Sequence, residues 1–98
     1  MSTASDGKAE GAGFSLGNIV ATRNANNSIP VEEILLGLGR HSNGEWGDLD
    51  EEDRLANEAA LLQGERLFSV YHSETGVKFY VITEWDRSVT TVLLPEDY

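Results

Sequence analysis

The sequence predicts an α+β fold: two helices packed on one face of a small antiparallel sheet, in the order β-α-α-β-β-β. Three observations carry this. Apolar residues recur at three-and-four spacing across 31–38 and again across 55–62. After Gly64 the periodicity changes to β-branched and aromatic runs at 67–71, 77–83 and 89–94. The segments joining those runs have only about 4–6 residues, a hairpin length too short for a parallel crossover.

Taken in order, residues 1–13 are small, polar and charged. They cannot bury enough apolar surface to offset their ordering entropy, so they read as a flexible tail preceding a single domain of residues 14–98. In 14–23 the β-branched pair Ile19 and Val20 predicts a short first strand, and the Asn-rich 24–27 a turn. Ser28 followed by Pro30 signals a helix start, with Val31, Ile34, Leu35 and Leu38 on one face of a helix over about 29–40. Gly37 and Gly39 weaken its end, and 41–47 reads as a loop with Trp46 near its centre. Asp48 and Glu51 have the spacing of a capping box that opens a second helix. Leu55, Ala59 and Leu62 would be its buried face, Ala56 and Ala60 would allow a neighbour close, and Gly64 would end it. The three later runs form a meander covered on one face by the helices.

With 98 residues, one core is expected. Seventeen Asp and Glu against seven Lys and Arg give a net charge of −10, which repels the phosphates of nucleic acid and of anionic membranes. The same field steers the chain toward a basic protein surface. The absence of cysteine excludes disulfides, Cys-ligated zinc, thiol nucleophiles and iron–sulfur clusters. A cytoplasmic setting is expected, since no apolar run approaches the ~20 residues of a spanning helix and the N-terminus lacks a signal-peptide stretch.

The densest feature is 45–58, where seven of fourteen residues are acidic and only Arg54 opposes them, for a net −6. Carboxylates on successive helical turns cannot all be neutralised internally, so they are expected to form an anionic ridge able to imitate a phosphate backbone. The other reading of the run is a capped, solvated helix face. The candidate partner-binding residues are Glu45, Trp46, Asp48, Asp50, Glu51, Glu52, Asp53 and Glu58, with Glu84, Trp85 and Asp86 from the turn between the last two strands. Trp46 or Trp85 would act as the aromatic anchor. Alternatively, Trp85 folds back over the helix layer and Arg87 pairs with a carboxylate of 48–53. The C-terminal Pro95-Glu96-Asp97-Tyr98 offers a second contact.

Chemistry-bearing motifs are rejected on detail. Asp48, Asp50 and Glu52 alternate like calcium ligands, but position six would be Asp53 instead of glycine and position twelve Ala59 instead of glutamate. His41 and His72 each neighbour a serine, Ser42 and Ser73, and Asp86 could complete a triad only on paper, since neither serine lies in a nucleophile elbow. No glycine-rich phosphate cradle is present. No enzymatic activity, cofactor or metal is therefore expected.

The segment 44–98 carries Gly44-Glu45-Trp46-Gly47-Asp48-Leu49, Glu52-Asp53, Asn57, Gly76 with Lys78, Ile82-Thr83-Glu84, Asp86-Arg87-Ser88, Thr90-Thr91 and Leu94-Pro95-Glu96-Asp97-Tyr98. In these pieces it resembles a family of short proteins encoded on bacterial plasmids, phages and other mobile elements. Trp85 stands where that family has a smaller residue, and the N-terminal half matches loosely. The resemblance brings no catalytic residues. It implies the company of mobile elements, whose small acidic proteins disarm host defence by occupying the basic nucleic-acid channel of a CRISPR or restriction effector. The rival expectation is a structural or regulatory accessory that binds through its sheet face or edge, as a homodimer or with another partner.

Overall fold

The computed structural model describes residues 13–98, so all but the last residue of the expected tail lies outside the described residues. The chain runs β1 (Asn18–Ala21), α1 (Arg23–Ser28), α2 (Val31–Ser42), α3 (Glu51–Gln63), β2 (Leu67–His72), β3 (Lys78–Thr83) and β4 (Val89–Leu93), then a 3-10 turn over Pro95–Asp97. The α+β class holds, with one helix more than the sequence suggests. Residues 24–27, expected as a turn, form α1 because the Thr22 side chain accepts the Ala25 N–H at the helix start. Ala25 and Ile29, four residues apart, are both buried in the core.

In α2 the acids Glu32 and Glu33 sit in the first turn and Arg40 in the last, each complementing the helix dipole. The helix begins at Val31, after Pro30, and runs on to Ser42. Its buried residues are Ile34, Gly37, Leu38 and His41, whereas Val31 and Leu35, expected inside, face solvent. Gly37 is needed for packing: a Cβ there would lie 3.1 Å from the Phe79 ring.

The cap of α3 is Asp50, which accepts the Asp53 N–H at 2.9 Å, so the expected cap at Asp48 is displaced by two residues. Gly64 ends the helix in the left-handed conformation, as expected. The buried face is a correction. Leu55, Ala59 and Leu62 point outward, Leu62 being 88% exposed, while Asn57 and Ala60 face inward. Polar contacts set this rotation. The Asn57 amide donates to the carbonyl of Phe68 and accepts its N–H, and the Trp46 indole donates to Glu58 at 2.8 Å.

The sheet order is β1-β4-β3-β2. β2, β3 and β4 form the expected antiparallel meander, with Leu67 opposite Thr83 and Thr83 opposite Thr90. β1 pairs parallel to β4, so the sheet is mixed and not wholly antiparallel. Three helices separate β1 from β2 in sequence, which frees β1 from hairpin geometry.

Strand alternation places Leu67, Ser69, Tyr71, Phe79, Val81, Thr83, Thr90 and Val92 under the helices. The main cluster joins Ala25, Ile29, Ile34 and Leu38 to Tyr71, Phe79, Val81, Val92 and Leu94. A second cluster gathers Trp46, Ala60 and Leu67 with Phe14, Leu49 and Leu61. The opposite sheet face bears the aromatic contacts Phe68–Tyr80 and Tyr80–Tyr98.

The β2 edge is closed by side chain and loop. Asn57 occupies the Phe68 backbone, while Val70 donates to the Trp46 carbonyl at 3.1 Å and accepts the Asp48 N–H at 2.8 Å. Gly47 makes this approach possible at φ 83°, where a Cβ would lie 2.0 Å from the Val70 oxygen. None of the helices among the described residues is long and apolar enough to cross a membrane.

Asn57→Ala leaves the Phe68 N–H and C=O without their partners. Chemical denaturation is expected to show a loss of about 2–3 kcal/mol. A loss below about 0.5 kcal/mol, the range of ordinary surface substitutions, would show that the clamp contributes nothing.

Candidate functional site

Two acidic patches flank α3, and the fold keeps them apart. The first begins in the loop pinned by Gly47 and continues through the Asp50 cap into the opening turn of α3, with Glu51, Glu52 and Asp53. Glu45, Asp48, Asp50, Glu51, Glu52, Asp53 and Glu58 all face solvent. Carboxylates at a helix N-terminus are stabilised by the dipole, which lets several share one turn.

Neutralisation is partial. Arg54 donates to Glu51 at 2.6 Å, and this bond holds the Glu51 carboxyl below its ordinary value. Arg40 lies 3.7 Å from Glu45, and the His72 ring 3.9 Å from Asp48. Asp50, Glu52 and Asp53 have no ion pair among the described residues. Beside Asp48, a depression of about 340 Å³ is lined by Arg40, Gly47, Asp48, Val70, Tyr71 and His72. Its aromatic wall is fixed: Tyr71 carries the Arg40 guanidinium 4.7 Å above its ring and donates its hydroxyl to the Glu45 carbonyl at 2.6 Å. Burial pushes the Tyr71 hydroxyl up to about 12.

Trp46, expected as an anchor on this surface, is instead only 3% exposed. Its ring stacks with Phe14 at 6.3 Å, meets His41 edge-on at 5.6 Å and ties Glu58 to the core. The loop reading of 41–47 put Trp46 outside because the contacts that bury it come from residues far along the chain.

The second patch is the β3–β4 turn, where Trp85 is 66% exposed. Glu84 lies 3.5 Å from Arg66, and Asp86 accepts both the N–H and hydroxyl of Ser88, which lowers its pKa. Arg87 departs from the expected pairing with 48–53. At φ 62° it sends its guanidinium to the carbonyls of Ala60, Glu65 and Glu84, capping the C-terminal end of α3. Trp85, Glu84 and Asp86 therefore sit at the far end of α3 from Asp50, separated by roughly 18 Å of helix. They do not join the first patch. At the C-terminus, Asp97 is also engaged internally, accepting from Thr22 at 2.6 Å, Asn24 at 2.7 Å and the Leu94 N–H. These bonds lower its pKa.

The histidines form no triad. Ser42 donates to the Gly39 carbonyl, Ser73 bonds to Thr75 and Val77, and Asp86 is held by Ser88. His41 is fully buried in a chain of hydrogen bonds that the sequence reading missed. Thr90 donates to the Leu16 carbonyl at 2.6 Å, which spends its only proton. Thr83 must then donate to Thr90 at 2.7 Å, so His41 donates from Nε2 to Thr83 at 2.9 Å. The Nδ1 atom is left to accept from Ser69 at 2.6 Å. One carbonyl that can only accept fixes the bonds from Thr90 back to Nε2, and the neutrality of the buried ring fixes the bond at Nδ1. The available signal was three hydroxyl residues, Ser69, Thr83 and Thr90, at inward strand positions. No group of three or more His, Asp or Glu side chains is placed to hold a metal among the described residues.

Burial and the nearby Arg87 charge push His41 down from 6.5 to about 4. The unfolded chain therefore binds a proton that the folded chain refuses. The contribution of neutral His41 is fully present above pH 6.5 and is lost as pH falls through about 4, a total of about 3 kcal/mol. Stability against pH, measured as the difference between wild type and His41→Gln, should show this loss between those limits. A difference that is flat with pH would contradict it.

Comparison of the chain with protein-family models, with curated sequences and with solved structures returns no match.

Proposed function

We propose that this is a non-enzymatic binding protein that presents the carboxylates of Asp48 and the α3 N-terminus to a basic protein surface, in place of nucleic-acid phosphates. The observation that carries this reading is the unbalanced patch itself: five exposed carboxylates within residues 48–53, directly opposed among the described residues only by Arg54 and the His72 ring. The dipole and the Asp50 cap hold the patch in a fixed arrangement, so the partner meets an ordered array and not a mobile tail. A defence nucleoprotein, a CRISPR or restriction effector with a Lys- and Arg-lined channel, is the class of partner that such an array suits. The resemblance of 44–98 to proteins of mobile elements adds to the same reading. The exposed Trp85 turn lies too far along α3 to share this contact and would act only in a partner large enough to span the helix.

Charge-led binding requires that salt weaken it. Asp48→Lys combined with Glu52→Lys reverses two charges without touching the Asp50 cap or the Glu58–Trp46 bond. The tagged wild-type chain is expected to retain a nucleic-acid-binding effector from a host lysate at low salt and release it as salt rises. The double variant, with its fold retained by circular dichroism, should bind that purified effector about tenfold or more weakly. A captured partner held equally by both chains at high salt would overturn the proposal.

A further inference from the structure

The two edges of the sheet are treated differently. At β2, side chain and loop occupy the outward backbone groups of Phe68 and Val70. At β1, the N–H groups of Asn18 and Thr22 go to the carbonyls of Ser88 and Val92, so strand alternation turns the N–H and C=O of Ile19 and Ala21 outward. Those four groups have no partner among the described residues. The side chains flanking them are aliphatic and open: Ile19 is 52% and Val20 47% exposed. Bare edges are ordinarily blunted with lysine, proline or a bulge, and β1 has none of these within Asn18–Ala21.

Charge selects the occupant. Residues 13–31 contain no Asp or Glu and one cation, Arg23, in a chain of net −10. A second copy meets less like charge here than at the α3 patch, with Asp97 lying against Thr22 and Asn24. The sheet order also sets β1 at the opposite edge from β2, the strand beside α3 and its carboxylates.

We infer that β1 is a dimerisation edge, at which two copies pair antiparallel about a two-fold axis at Val20 and form a continuous eight-stranded sheet. Ile19 of one copy and Ala21 of the other exchange N–H···O=C bonds, and the symmetry repeats the pair, giving four bonds between subunits. Val20 meets its own copy across the axis on one face, while Ile19 lies beside Ala21 of the partner on the other. The pairing buries the two aliphatic side chains that the monomer leaves open. It also keeps the α3 carboxylates of the two copies apart: from one β2 to the other is seven strand spacings, roughly 34 Å, against a screening length of about 8 Å at physiological salt. The dimer stands whatever the acidic patch binds.

Sedimentation of the full chain over a concentration series should show a reversible monomer–dimer equilibrium. Ile19→Lys places a charge on the edge, and Ile19→Pro removes an outward N–H that makes no bond to β4. Each should raise the dissociation constant about tenfold or more while leaving the circular dichroism spectrum unchanged. Amide hydrogen exchange of the wild-type chain gives a test independent of any variant. The Ile19 and Ala21 amides should exchange more slowly as concentration rises, and the Val20 amide, already bonded within the sheet, should not change. A chain that stays monomeric at every concentration, a dimer equally tight in Ile19→Lys, or Ile19 and Ala21 exchange that is independent of concentration would overturn the inference.

Discussion

The fold is organised around a line of hydrogen bonds that runs from Ser69 through His41, Thr83 and Thr90 to the Leu16 carbonyl. It joins β2, α2, β3, β4 and the segment leading into β1, with one group from each. Unpaired, each of these buried groups would cost more than its bond contributes, which is why the line specifies the arrangement of layers as well as stabilising it. The consequences reach the surface. His41 places Trp46, Trp46 holds Glu58, and the loop that carries Trp46 presents Asp48 and closes the β2 edge.

Legibility in the sequence followed the range of the forces involved. The meander was legible because turn chemistry and strand propensity are local, and Gly64 was legible as a helix end because the left-handed cap asks for glycine. The existence of α2 and α3 was legible too, but their orientation was not. Periodicity marks a stripe, and in α3 the stripe Leu55–Ala59–Leu62 lost to three polar contacts, Asn57 with Phe68, Glu58 with Trp46 and Arg87 with the helix end. Each of those partners is more than ten residues away, so no window over the helix contains them. The parallel pairing of β1 was hidden for the same reason, since its partner β4 lies at the other end of the chain. For the acidic run, exposure could be read from composition alone. Which carboxylates serve the fold, Asp50 as cap and Glu58 as tether, could not.

The charge layout then follows from the fold. Acids concentrate at the start of α3 and in the loop before it, beyond the β2 edge, whereas 13–31 contains none and the acid bonded beside β1 is Asp97, on Thr22. One side of the molecule offers an array of fixed negative charge, and the other a short uncharged strand with open backbone groups. These are two kinds of surface with opposite salt dependence: screening weakens contacts of the first and relieves repulsion between copies meeting at the second.

The line of bonds depends on the proton arrangement of His41, set by the Leu16 carbonyl at one end and by the neutrality of the buried ring. Nitrogen NMR of the imidazole at neutral pH tests it most directly. The expected result is a neutral ring with the proton on Nε2 and a bare, accepting Nδ1. A ring protonated on Nδ1 alone, or a doubly protonated imidazolium at neutral pH, would contradict it.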